Sequence, residues 1–258
     1  MSPKNKLLWL FSGTSDGNQI AKDLIAKNCC LKIFVATEYG RKVASQTLPL
    51  EIIQAGRLTI DDMFERGRID APEKVIDATH PFAVEVSKNL MGFCRNTEIP
   101  YIRYERPEDS IEEDNIYFVD NVEQAAEKAK TIGKQILLTL GSKNIDPFLC
   151  EELRGRISIR MLPDPQLIQD LLSKGVSPDK IIAIQGPFSV SSNKALMVDR
   201  SIDCLITKSS GIEGGVKDKI VAARELAISV IVIKRPEIHY PVLFSDQKKM
   251  INNILKDQ

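Results

Sequence analysis

Val75-Ile76-Asp77-Ala78-Thr79-His80-Pro81 reads as a short buried strand, Val75 to Ala78, that stops in a polar turn and restarts as a helix at Phe82. A carboxylate, a hydroxyl and an imidazole therefore fall at the strand's carboxyl end. In open parallel α/β sheets that edge is where ligands bind. His80 is one of only two histidines in the chain, and the other, His239, lies past the last predicted core strand. A capping or packing role would explain a lone histidine here as readily as a functional one. The same architecture appears again further along the chain, and that repetition favours a functional role.

Residues 75–108 align without a gap against residues 204–237, an offset of 129 residues. Seven positions are identical, among them Lys88/Lys217, Arg95/Arg224 and the closing Arg106-Pro107-Glu108/Arg235-Pro236-Glu237. Each segment reads as strand, polar turn, amphipathic helix and second strand, ended by a proline that has no N–H for the ladder. The same offset sets Leu8-Trp9-Leu10-Phe11-Ser12-Gly13 against Leu137-Leu138-Thr139-Leu140-Gly141-Ser142. With one residue of slip, Gly56-Arg57-Leu58-Thr59 faces Gly186-Pro187-Phe188-Ser189, and Ile116–Asp120 resembles Val242–Asp246, each before a helix. The order of elements is kept along the whole chain, as a tandem duplication predicts. The expected fold class is α/β, with two similar Rossmann-like lobes built on parallel sheets. The expected division is an N-terminal lobe over 1–106, a linker carrying one strand and one helix over 107–134, and a C-terminal lobe with a terminal helix over 135–258.

The 258 residues are 43% apolar and 27% charged, ordinary for a globular chain. Lys+Arg and Asp+Glu both number 35, so no net field recruits nucleic acid or a membrane surface. Leu7–Phe11 is too short for a signal's apolar core or a membrane span, which predicts a cytoplasmic protein. The five cysteines, Cys29, Cys30, Cys94, Cys150 and Cys204, show no metal-ligand or redox spacing and read as buried reduced thiols. No resident metal is expected.

Several turns could carry chemistry. Leu7–Phe11 runs into Ser12-Gly13-Thr14-Ser15-Asp16-Gly17 and a helix, a geometry that offers backbone N–H groups to a phosphate. The spacing is not the dinucleotide fingerprint, so the motif by itself is weak. After the second strand, Glu38 argues for a free ribose 2′-hydroxyl and Arg41-Lys42 for a 2′-phosphate, and spacing does not choose between them. Lys208-Ser209-Ser210-Gly211-Ile212-Glu213-Gly214-Gly215, with Lys217 and Lys219 on the following helix, favours contact with an anion.

Taken together, Gly13-Thr14-Ser15-Asp16-Gly17, Asp77-Ala78-Thr79-His80-Pro81-Phe82-Ala83, Arg106-Pro107, Gly141-Ser142-Lys143, Gln185-Gly186-Pro187-Phe188-Ser189 and Thr207-Lys208-x-Ser210-Gly211-x-x-Gly214-Gly215 with Lys219 resemble the precorrin-6A reductase family of cobalamin biosynthesis, including its cobalt-precorrin-6A members. The resemblance spans roughly Leu7 to Pro236. Departures are Asp16, where the family carries Glu, and Ser209, where an acid or Asn is common.

The resemblance implies an NADPH-dependent oxidoreductase that reduces a double bond of ring D in a tetrapyrrole, with its active site in the cleft between the lobes. It assigns Gly13, Thr14, Ser15, Gly17, Arg41, Thr79 and His80 to NADPH. It assigns Lys143, Gln185, Ser189, Ser210, Gly211, Gly214, Gly215 and Lys219 to the macrocycle and its carboxylates. His80 and Lys208 are the catalytic candidates, His80 as a proton donor. Any cobalt belongs to the substrate. The alternatives are another NADP-dependent reductase of the same two-lobe fold, or a two-lobe small-molecule sensor without chemistry.

Overall fold

The computed structural model describes residues 6–107, 115–141, 144–209 and 215–256. Two compact units emerge: Met1–Pro107 with Pro236–Gln258, and Glu108–Arg235. In chain order the strands are β1 (Leu7–Phe11), β2 (Cys30–Val35), β3 (Ile53–Ala55), β4 (Lys74–Asp77), β5 (Tyr101–Tyr104), β6 (Ile116–Val119), β7 (Ile136–Leu138), β8 (Ile157–Met161), β9 (Ile181–Ala183), β10 (Cys204–Lys208), β11 (Ser229–Ile233) and β12 (Leu243–Phe244). The helices are α1 (Ser15–Ala26), α2 (Glu38–Ala44), α3 (Ile60–Asp70), α4 (Val84–Thr97), α5 (Val122–Ile132), α6 (Glu151–Arg154), α7 (Pro165–Ser173), α8 (Val190–Asp199), α9 (Val216–Glu225) and α10 (Gln247–Leu255).

Each unit holds one six-stranded sheet, ordered β12-β5-β4-β1-β2-β3 and β6-β11-β10-β7-β8-β9. Every pairing is parallel. The order reverses between β1 and β4 in the first sheet and between β7 and β10 in the second, the switch point where doubly wound sheets open a crevice. The duplication is therefore visible in the topology. It extends to helix caps: Thr59 and Ser189, aligned in the sequence, cap α3 and α8.

The division of the chain differs from the expected one. Residues 116–132 are not a linker, because β6 pairs with β11 and belongs to the second sheet. The C-terminal segment does not stay with the second lobe: β12 pairs with β5, so the two copies exchange their sixth strands. Three interactions hold the returning segment. The Arg103 and Glu105 N–H groups donate to Val242 and Phe244 carbonyls at 2.9 Å. Met250, Ile251 and Ile254 of α10 are buried in the first unit's core. Buried Lys74 donates from Nζ to the Ile254 carbonyl at 3.1 Å, closing the end of α10. Chain order suggested the simpler boundaries, since sequence neighbours usually pair in space.

β1 is a continuous apolar run because both its faces are covered. Leu8 and Leu10 enter one core with Ile20, Leu24 and Ile33. Trp9 enters the other, stacked on Phe93 with ring centroids 5.4 Å apart. The cysteines depart from expectation: Cys94 and Cys204 are buried, Cys29 and Cys150 are half-buried, and Cys30 is exposed.

Candidate active site

At the first unit's switch point the carboxyl ends of β1, β2, β3 and β4 surround a crevice of about 440 Å³. Gly13 and Gly56 form two of its corners, with φ of 127° and 129°. Side-chain-bearing residues essentially do not adopt that backbone region. A Cβ at either position would project into open space. Phe34, Val35, Leu58 and Val86 make the wall largely apolar, while Arg57, Thr79 and His80 bring polar groups to it.

The turn after β1 is fixed by one hydroxyl. Thr14 Oγ1 accepts from the Gly17 N–H at 3.0 Å, capping α1, and donates to the Ala78 carbonyl at 3.0 Å, tying the helix start to the end of β4. Gly17 serves packing, since a Cβ there would lie 2.2 Å from Ser12 Oγ. Ser15 opens α1. Asp16 in its first turn pairs with Arg106 from the end of the repeat.

Asp77 organises the Thr79-His80 turn. Its carboxylate is fully buried and accepts from the Thr79 N–H, the Thr79 hydroxyl, Ser87 Oγ, the Tyr101 hydroxyl and Arg103 Nη1, at 2.6 to 3.0 Å. Arg103 is also fully buried, reaches Glu105 at 2.8 Å and lies 5.1 Å from the centre of the Tyr240 ring. Burial alone would lower the guanidinium's pKa, but Asp77 and Glu105 outweigh it and raise it. Burial and Asp77 push the Tyr101 phenol far up, so it remains a donor. Asp77 and Arg103 hold Thr79 directly, and Thr79 and His80 line the crevice.

His80 Nδ1 accepts from the Phe82 N–H at 3.2 Å. The imidazole is thereby set in the tautomer that carries its proton on Nε2, and protonating Nδ1 would break that bond.

In the second unit Lys208 closes β10, half-buried. Gln185 is exposed on the turn after β9. Ser189 Oγ accepts from the Ser192 N–H as the cap of α8. Gly215 starts α9 with φ of 64°. Lys219 is buried, its Nζ 3.4 Å from Thr207 Oγ1. Desolvation, with Arg160 nearby, pulls its pKa down to about 7. Arg160 is likewise buried and is lowered to about 10 by desolvation. Lys143, Ser210, Gly211 and Gly214 lie outside the described residues.

The structure thus brings Gly13, Thr79 and His80 to the lining of one crevice, while Thr14, Ser15 and Gly17 lie next to it in the cap and first turn of α1 and are not part of that lining. Arg41 is not part of its lining and pairs with Glu38 at 3.6 Å. Sequence reasoning passed over Arg57, Arg103 and Arg160. The signal available for the last two was a lone arginine inside an apolar strand, at Ile102-Arg103-Tyr104 and Ile159-Arg160-Met161.

The sheet order, the switch-point crevice and the glycine corners define a doubly wound Rossmann-type protein in two repeated units. Residues 7–255 match the family model described as "Precorrin-6x reductase CbiJ/CobK". A cobalt-precorrin-6A reductase from Methanococcus maripaludis is 34% identical over 253 residues, 95% of this chain and 97% of that protein. One from Priestia megaterium is 34% identical, covering 96% and 98%. A solved structure titled "CobK precorrin-6A reductase" superposes with a TM-score of 0.77 at 20% identity, over 97% of this chain and 96% of that one, which shows the shared fold. The chain belongs to the precorrin-6x reductase family.

Proposed function

We propose that this chain reduces precorrin-6A, or its cobalt form, to the corresponding 6B form with NADPH, in the cytoplasm. Among the described residues no helix is long and apolar enough to cross a membrane. The observation that carries the reading is the first unit's crevice. Gly13 and Gly56 leave open space where side chains would stand, beside a capped helix N-terminus and an apolar wall. A dinucleotide fits such a site, its phosphate near the Thr14 turn and its flat rings against Phe34, Leu58 and Val86.

Bound there, NADPH supplies the hydride. The residues of this chain bind, orient and exclude water. Thr79, locked by Asp77 and Arg103, holds the crevice floor in place. His80 donates a hydrogen bond through Nε2. Lys208 and Lys219, with Gln185, Ser189 and Gly215, meet the carboxylates of the macrocycle. Protonation of the neighbouring ring carbon falls to solvent or to Lys208. Mixing cobalt-precorrin-6A with the protein and NADPH should consume reduced nicotinamide and change the macrocycle's spectrum in equal amounts. Intact NADPH in the presence of a bound macrocycle would favour the sensor reading.

His80→Ala separates the two roles of the imidazole. Loss of one hydrogen bond, ~1 kcal/mol, should raise the KM for NADPH about fivefold and leave kcat within about twofold. A fall in kcat of about a hundredfold or more, with KM unchanged, would restore the general acid.

Arg57 is the cation that lines the crevice, so the reading assigns it the 2′-phosphate in preference to Arg41. A charge-assisted contact of ~1.5–3 kcal/mol makes the expected rise in KM for NADPH about ten- to a hundredfold in Arg57→Ala, with NADH little affected. A larger effect from Arg41→Ala would move the phosphate to α2.

A further inference from the structure

We propose that Arg160 and Lys219 form a buried oxyanion site in the second unit, one that takes a carboxylate of the macrocycle or a phosphate of the dinucleotide. The proposal deepens the reductase reading and rests on it. Four elements converge on one face of the second sheet. Arg160 comes from β8, Thr207 from β10, Asn193 from α8 and Lys219 from α9. Asn193 has no exposed surface. Its Oδ1 accepts from Arg160 Nη1 at 2.7 Å, and its Nδ2 donates to the Phe188 and Ser189 carbonyls at 3.3 and 2.9 Å. The Phe188 ring lies 4.3 Å from the Arg160 guanidinium carbon. The arginine is thus held in one pose by an amide and an aromatic ring, the arrangement of a recognition group rather than a solvated surface charge.

Neither cation has a carboxylate partner among the described residues. Arg160 retains 6% of its surface and Lys219 8%, and their hydrogen bonds go to an amide oxygen and a hydroxyl. A buried cation without a counter-ion is unfavourable by several kcal/mol, and two close together repel as well. The repeat shows that the scaffold does not require a charge at one of these positions. At the 129-residue offset Lys219 stands where the first copy has Leu90, which is fully buried and apolar. A cation placed where leucine packs is explained by a ligand that carries the missing negative charge. The face also lies at the carboxyl ends of β8 and β10, the ligand-binding edge of a parallel sheet.

The test compares wild type with Lys219→Met, Arg160→Met and Arg160→Lys, all unliganded and with two probes measured separately: uroporphyrin I, which carries acetate and propionate groups on a macrocycle, and NADP⁺. The Met variants keep the side-chain bulk and remove the charge. Their melting temperatures should stay level or rise by roughly 2–4 °C, while affinity for one probe falls about tenfold or more, and Arg160→Lys should lose less. A loss confined to uroporphyrin assigns the site to a carboxylate, and a loss confined to NADP⁺ assigns it to a phosphate. Unchanged affinity for both probes overturns the proposal. So does a clear drop in melting temperature in both Met variants, since the two charges would then be neutralised within the chain. Binding is read without turnover, so a failed reductase assay leaves this result interpretable.

Discussion

Arg103→Met is expected to lower the stability of the protein by ~3–5 kcal/mol, the usual consequence of leaving a buried charge without its partner. Asp77 and Arg103 have no exposed side-chain surface, and their ion pair is 2.7 Å long. Removing the guanidinium strands a carboxylate that Thr79, Ser87 and Tyr101 still address but do not neutralise. Urea unfolding would measure the loss, provided the slope of the transition stays constant. Asp77→Asn in the same chain should recover part of it, because the amide removes the unpaired charge. The loss should also reach function. Thr79 is held by both members of the pair, and its neighbour His80 lines the crevice. A variant of unchanged stability would mean that the network is ornamental to the fold.

Gly13→Ala is the second large effect. At φ of 127° the backbone of Gly13 is in a region that costs a substituted residue ~1–3 kcal/mol. The added methyl projects into open space beside the crevice, so the strain is not offset by new packing. If the turn relaxes by about an ångström to relieve it, the bound nicotinamide moves with it, and a misplacement of that size reduces turnover roughly a hundredfold. Thermal stability and kcat/KM for NADPH should therefore fall together. Gly17→Ala offers the contrast: the clash with Ser12 predicts lost stability of ~1–3 kcal/mol with a smaller effect on KM.

Much of this architecture was legible in the chain. Strands such as Leu7–Phe11 and Ile157–Met161 are apolar runs bounded by polar turns, and the 129-residue repeat gave the second sheet from the first. The exchange of sixth strands was written there too, in the likeness of Ile116–Asp120 to Val242–Asp246. Its meaning was not, because sequence alone does not say which edge a short strand covers. Of the candidate residues, Gly13, Thr79 and His80 line the crevice. Glycines and the Thr79-His80 turn announce themselves by residue type at a strand end. Arg103 and Arg160 do not, since their surroundings depend on side chains brought from other elements: Asp77 and Tyr240 for Arg103, Asn193 and Phe188 for Arg160. The same offset shows how the copies diverged. Asp77 and Arg103 align with Ile206 and Val232, so the first unit buries an ion pair where the second buries hydrocarbon.

The assignment of the dinucleotide to the first unit is tested most directly by a crystal structure of the protein grown with NADP⁺. The account predicts density for the cofactor in the crevice bounded by Gly13, Gly56, Thr79 and His80, with Arg57 at the 2′-phosphate. Density for the whole dinucleotide on the second unit, with that crevice filled only by solvent, would contradict it.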